Sequence, residues 1–344
     1  MTEEESSKLQ VELIKKLNEI YPDFNFLYSL GSSVNGVVSS HVYEYLIEQD
    51  SIRKLQYGKL NHDTFIHYTT LRAFCEILNS GEIRLFDLNN MNDPFEFDYL
   101  LNKETLQFNN KEIDFFKKRL FITSLCKYDD ETGDDFNLWR FYGDNGSGIA
   151  VVFKLINPNE NWRNYLISNV IYGNINSESE KLVKAIKILK EYIDKGLERI
   201  PQLLGLLLVH HKNEIWKIEN ECRLSTFCDS EDYGLQSYDD FNPLIAGTYR
   251  RIVRPDGITT SYVAFPLEFK LRPKFFKNFN SEEDFNDAVN SIPKLTIEKI
   301  ILGYKLNEKV FDDLIFFCSA MASYWHKHIQ IERSKYFDSL NRSL

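Results

Sequence analysis

The chain has 344 residues and a formal net charge of −10, which excludes a broadly basic nucleic-acid-binding face and leaves only a local groove for such a partner. An apolar content of 43% is ample for a core, and the length implies one large domain with appendages, or two domains. Five scattered cysteines (Cys75, Cys126, Cys222, Cys228, Cys318) without a CxxC spacing point to buried thiols in a reducing cytoplasm. The opening MTEEESSK has no secretory layout, and no apolar run approaches the ~20 residues of a membrane span, so a cytoplasmic chain without membrane attachment is expected.

Residues 1–60 read as a helical appendage that packs on the core or contacts a protein partner. Leu9, Val11, Leu13, Ile14, Leu17 and Ile20 form a helical stripe ended by Tyr21-Pro22. After a loop at Gly31 to Gly36, Val42 to Ile47 reads as a second helix.

The stretch 65–97 is more informative. Phe65-Ile66-His67-Tyr68-Thr69 is a short β-type run, and Leu71, Phe74, Cys75 and Leu78 follow at helical spacing. Asn79-Ser80-Gly81 stops that helix, with Gly81 suited to the left-handed position after the last turn. Ile83 to Leu85 reads as a second strand. Asn90 to Glu96 then forms a turn fixed by Pro94, on which Asn92, Asp93 and Glu96 either cap backbone groups or touch a ligand. Bracing is the expected role of Asn92 and Asp93, because such side chains satisfy local amides.

Farther on, Phe121 to Cys126 is strand-like, and the acidic loop Asp129 to Asp135 reads as solvated. Leu138-Trp139-Arg140-Phe141-Tyr142 and a glycine-bearing turn lead to Ile149 to Phe153, a buried strand. Val170 to Tyr172 is strand-like, and a long helical region runs to Val209. His210 and Glu214 share a helix face if that helix continues, but no third ligand accompanies them, so no metal site is assigned.

Glu219-Asn220-Glu221 carries more chemistry. In an extended segment both carboxylates face the same way, with Arg223 beside them, and close carboxylates push their titrations apart. An edge-strand Glu–Arg ladder is the plainer alternative. Tyr262 to Phe269 and Ile297 to Gly303 read as further strands, and Val310 to Ile331 as a terminal helix whose His326 and His328 are given no chemistry. Strand-like runs outnumber core helices. The expected fold is therefore α+β, a mostly antiparallel, curved or split sheet with flanking helices: an appendage at 1–60, a catalytic-like domain at 61–305 and a C-terminal helix at 306–344.

The ordered motifs HYT, NDPFE, LWRFYG, GIAVVF, VIY, ENECR and IILG resemble the bacterial and phage-associated family called domain of unknown function 2971, over about Thr64 to Leu306. Cys222 stands where members commonly carry Trp, and residues 1–60 lie outside the likeness. A His-Tyr-Thr strand, a helix ending at Asn-Ser-Gly and a later Glu-x-Glu also resemble, more distantly, the ADP-ribosyltransferase superfamily. That resemblance implies an ADP-ribosyltransferase-like split sheet and NAD as substrate, with His67 holding the nicotinamide ribose beside Tyr68 and Thr69. It implies Ser124 or Tyr142 under the nicotinamide, Glu221 as the catalytic carboxylate with Glu219 beside it, and Arg223 steadying the pair. Tyr68, Trp139 and Tyr142 would supply aromatic walls, with Asn92 and Asp93 at the cofactor pocket. His67 and Glu221 would then line one cleft. The implied activity is transfer to a macromolecular acceptor, nucleic acid or protein, in a toxin or antiviral system. NAD glycohydrolysis, a non-catalytic ligand-binding or regulatory domain, and a metal-assisted hydrolase are the alternatives.

Overall fold

The computed structural model describes residues 3–24, 26–30, 40–44, 49–55, 59–88, 99–103, 108, 113, 117–131, 133–162, 165–173, 177–196, 202–227, 248–253, 257–325 and 329–337. Asn92 and Asp93, the rest of the NDPFE turn, and His326 and His328 lie outside them.

A mixed sheet with flanking helices forms, and its centre is β5 (Leu120–Lys127). On one edge β5 pairs along most of its length with β10 (Glu221–Phe227), which in turn pairs with β7 (Tyr165–Asn169). The other edge of β5 is shared. Ile122 and Phe121 face Phe86 and Asp87 of β4 (Glu82–Asp87), whereas Lys127 and Cys126 face Phe65 and Ile66 of β3 (Thr64–Thr69). The sheet therefore splits at β5 into two arms. One continues through β12 (Thr259–Pro266) to β11 (Thr248–Val253), and the other through β6 (Ile149–Leu155) and β13 (Leu295–Leu302) to β14 (Gln330–Arg333). Every pairing in it is antiparallel except β13–β14. The mostly antiparallel sheet expected from the strand count is present.

Period-two alternation sorts the side chains into two faces. Phe65, Leu85, Phe121, Leu125, Val151 and Leu224 pack on one face with Phe74 and Leu78 of the helix Leu71–Ser80. That helix ends as its sequence indicates: Gly81 sits at φ 68° and its N–H closes on the Ile77 carbonyl. The opposite face carries two separate cores. Leu120, Ile122 and Leu166 meet the helices Ser177–Asp194 and Gln202–Leu208, while Ile66, Tyr68, Ala150 and Val152 meet Trp139 and Tyr304. Ser124, Cys126, Glu221 and Arg223 lie on this opposite face, whereas His67 follows Phe65 onto the first.

Several sequence expectations are corrected. Residues Ser40–Glu44 form β2, paired with β1 (Phe26–Leu30), so Val42 and Tyr43 follow their β preference instead of a helical spacing. Past Pro266 the chain turns into the helix Glu268–Phe275 and does not extend β12 to Phe269. The helix Gln202–Leu208 stops before His210, and a two-stranded parallel pair of β8 (Ile171–Tyr172) and β9 (His211–Lys212) follows, so His210 and Glu214 share no helix face. No helix among the described residues is long and apolar enough to cross a membrane.

Candidate functional site

Strands β5 and β10 build the centre of the site, and their register fixes which side chains meet. Arg223 stands opposite Ser124 and Glu221 opposite Cys126, so these four share a face. Glu219 arrives differently. It ends the short 3-10 helix Glu214–Glu219, and Asn220 takes a left-handed conformation at φ 43° before β10 begins. The two carboxylates are thus brought together by a turn, where the sequence suggested an extended alternation.

Lys212 closes the pair. Its Nζ donates to Glu219 Oε2 at 2.6 Å and to Glu221 Oε2 at 3.0 Å. Arg223 donates from Nε to Glu221 Oε1 at 2.7 Å and from Nη2 to Oε2 at 3.1 Å, and its Nη1 binds the Val209 carbonyl. Ser124 Oγ also donates to Glu221 Oε1, and the Tyr142 hydroxyl donates to Glu219 Oε1. The Glu221 N–H donates to the Tyr172 hydroxyl at 2.8 Å. Glu221 therefore accepts four side-chain hydrogen bonds while its side chain is only 1% exposed.

This geometry separates the two titrations. Burial pushes Glu219 above the usual carboxylate range, against the pull of Lys212 and Tyr142. Burial acts on Glu221 too, but the Arg223 and Lys212 charges and the hydrogen bonds outweigh it and hold the group below its ordinary value. Burial, then the neighbouring carboxylate, raises the Tyr142 phenol. Burial and both glutamates raise the Cys126 thiol, which disfavours its thiolate.

His67 reaches the same place from another direction. It lies opposite Val151, on the face of Phe65, and its Nδ1 is 3.0 Å from the Ser124 carbonyl, which points into the gap where β5 changes partner. A carbonyl only accepts, so Nδ1 carries the hydrogen and Nε2 is left as an acceptor. Burial lowers the His67 pKa, which favours the neutral ring. His67 and Glu221 thus meet at one residue, through its carbonyl and its hydroxyl, and do not face each other across an open cleft.

The remaining sequence candidates have other surroundings. Tyr68 is buried: its hydroxyl donates to the Gly133 carbonyl at 2.6 Å, accepts from Asp135 N–H at 3.0 Å, and its ring packs edge-on against Trp139 at 5.0 Å. Trp139 is fully buried with its Nε1 on Asp134. Both are core staples and not walls of a pocket, because the helix Phe136–Phe141 covers that face of β3 and β6. Thr69 ends β3 opposite Ile149. In the acidic loop, Asp134 is buried and Asp135 caps the helix Phe136–Phe141, so the loop is only partly solvated. Two members of the site, Lys212 and Tyr172, were missed. The signal for Lys212 was charge balance, since two neighbouring glutamates need two cations and Arg223 supplies one. Nothing in the sequence distinguishes Lys212 from Lys217 for the second.

The fold and the site define a mixed α/β protein with a buried, charge-balanced carboxylate pair at the split of its sheet. Residues 138–224 match the family described as "Protein of unknown function (DUF2971)", and that segment contains Tyr142, Lys212, Glu219, Glu221 and Arg223. Neither a curated protein nor a solved structure matches the chain.

Proposed function

We propose that the chain is an NAD-consuming enzyme of the ADP-ribosyltransferase kind, acting on a macromolecular acceptor as an effector in a toxin or antiviral system. One observation carries the reading. An opening-strand histidine, a middle-strand serine and a late glutamate lie on the neighbouring strands β3, β5 and β10 and meet at Ser124, although 154 positions separate His67 from Glu221.

In this reading His67 Nε2 accepts a ribose hydroxyl, and Ser124 and Tyr142 flank the nicotinamide. The ribose–nicotinamide bond breaks with its electron pair leaving on nicotinamide. Fixed negative charge on Glu221 favours the resulting oxocarbenium-like centre. The attacking hydroxyl of the acceptor, or water in a glycohydrolase, passes its proton to Glu219, the carboxylate that burial already inclines to hold one. Glu221 itself is a positioning anion, since its oxygens are occupied.

Incubating the purified chain with NAD and following released nicotinamide tests this. Wild type is expected to release it, and Glu219→Gln to lower kcat by roughly 10²-fold or more. No release by wild type, with or without protein and nucleic-acid acceptors, would remove the enzymatic reading. The saturation of Glu221 favours one other reading, a ligand-binding domain without turnover, which predicts NAD binding and no nicotinamide.

A further inference from the structure

We propose that Lys212 is the positioning residue of the carboxylate pair: its ammonium, shared between Glu219 and Glu221, holds both in one site and keeps Glu219 able to give up its proton. This rests on the reading above only in treating the pair as the reactive centre.

Glu219, Glu221, Lys212 and Arg223 are all buried, at 3%, 2%, 7% and 0% exposure, and their formal charges sum to zero. The two cations are not equivalent. Arg223 bonds Glu221 through two nitrogens and spends its third on the Val209 carbonyl, so among the contacts described it serves one carboxylate. Lys212 reaches both. Among the described residues, the other groups that the contacts and charges place against the pair are neutral or would oppose ionisation: Tyr142 beside the helix Phe136–Phe141, Ser124 and Cys126 on β5, Tyr172 on β8, and His210 before β9. Without the ammonium, the described groups acting on Glu219 would be a phenol and a neighbouring anion, so its protonated form would be favoured. The lysine stem is itself held, with Nζ 5.3 Å from the centre of the Trp216 ring, and its backbone is fixed by the β8–β9 pairing.

The test is an infrared pH titration of the full-length chain, reading the carbonyl stretch of a protonated buried carboxyl. It needs no NAD, so a chain that releases no nicotinamide would end the enzymatic reading and leave this inference standing. Lys212→Met is expected to move the midpoint of that band upward by about one pH unit or more, a tenfold change in the proton equilibrium. Lys212→Arg should return it most of the way, and the Lys212→Met/Glu219→Gln double variant should lack the band. An unmoved midpoint in Lys212→Met, or a shifted band that survives in the double variant, overturns the proposal. If Lys212→Met alone fails to fold, the double variant should fold, because the uncompensated carboxylate is gone. Failure of both would make Lys212 a packing residue and overturn the proposal equally.

Discussion

Glu221 accepts hydrogen bonds from Arg223, Lys212 and Ser124 and is almost wholly buried. Replacing it by glutamine turns a carboxylate oxygen into an amide that points hydrogens at cations, and leaves Arg223 buried without its anion. Glu221→Gln is therefore expected to destabilise the fold by roughly 3–5 kcal/mol, despite its near-identical shape. Urea denaturation measures this, and an unchanged midpoint would contradict the network. The buried histidines make a second prediction at this scale. Burial lowers His210 and His211 from 6.5 to about 4. The unfolded chain takes up those protons first, so their contribution is complete above about 6.5 and is lost as pH falls towards 4. At pH 5 each costs roughly 2 kcal/mol relative to pH 7. A urea midpoint that stays constant between pH 7 and pH 5 would count against both histidines being buried and neutral.

At the scale of elements, the glycine-bearing motifs acquire a common cause. The Gly303 N–H donates to the Gly148 carbonyl at 3.0 Å, and a Cβ on Gly303 would lie 2.3 Å from the Gly146 carbonyl oxygen. The end of β13 therefore presses against the turn that leads into β6, and only a residue without a side chain permits it. Gly303→Ala should cost roughly 1–3 kcal/mol, measured by thermal or urea unfolding, and a neutral result would show that the two segments part freely. The strand–helix–strand unit from Thr64 to Asp87 was legible because periodicity, a capping glycine and strand composition agree there. The left-handed Asn220 was not. Glu-Asn-Glu reads as extended by alternation, whereas Asn220 caps the 3-10 helix in a left-handed turn before β10 begins, a conformation that asparagine tolerates. Nor was the exchange of partners along β5 legible, since hydrogen-bonding partners do not alter a strand's own pattern. His67 and Ser124 were found through motif order, but the carbonyl that joins them is backbone and leaves no trace in the sequence.

For the whole molecule, the N-terminal helix Glu3–Ile20 is part of a core. Leu13, Leu17 and Ile20 are buried with Leu182, Ile186 and Leu189 of the helix Ser177–Asp194, in the core that covers the same face of β5 and β10 as Ser124 and Glu221. Deleting residues 1–24 should uncover that apolar face, lower the melting temperature and promote aggregation, whereas a separable module would leave the melting curve of the remainder intact. The central claim concerns the place where the sheet divides, and a structure of the full chain with NAD tests it most directly. The nicotinamide ribose is expected at the gap between β3 and β5, with a ribose hydroxyl on His67 Nε2 and the nicotinamide beside Ser124 and Tyr142. NAD bound away from these residues, or no NAD bound at saturating concentration, would contradict it.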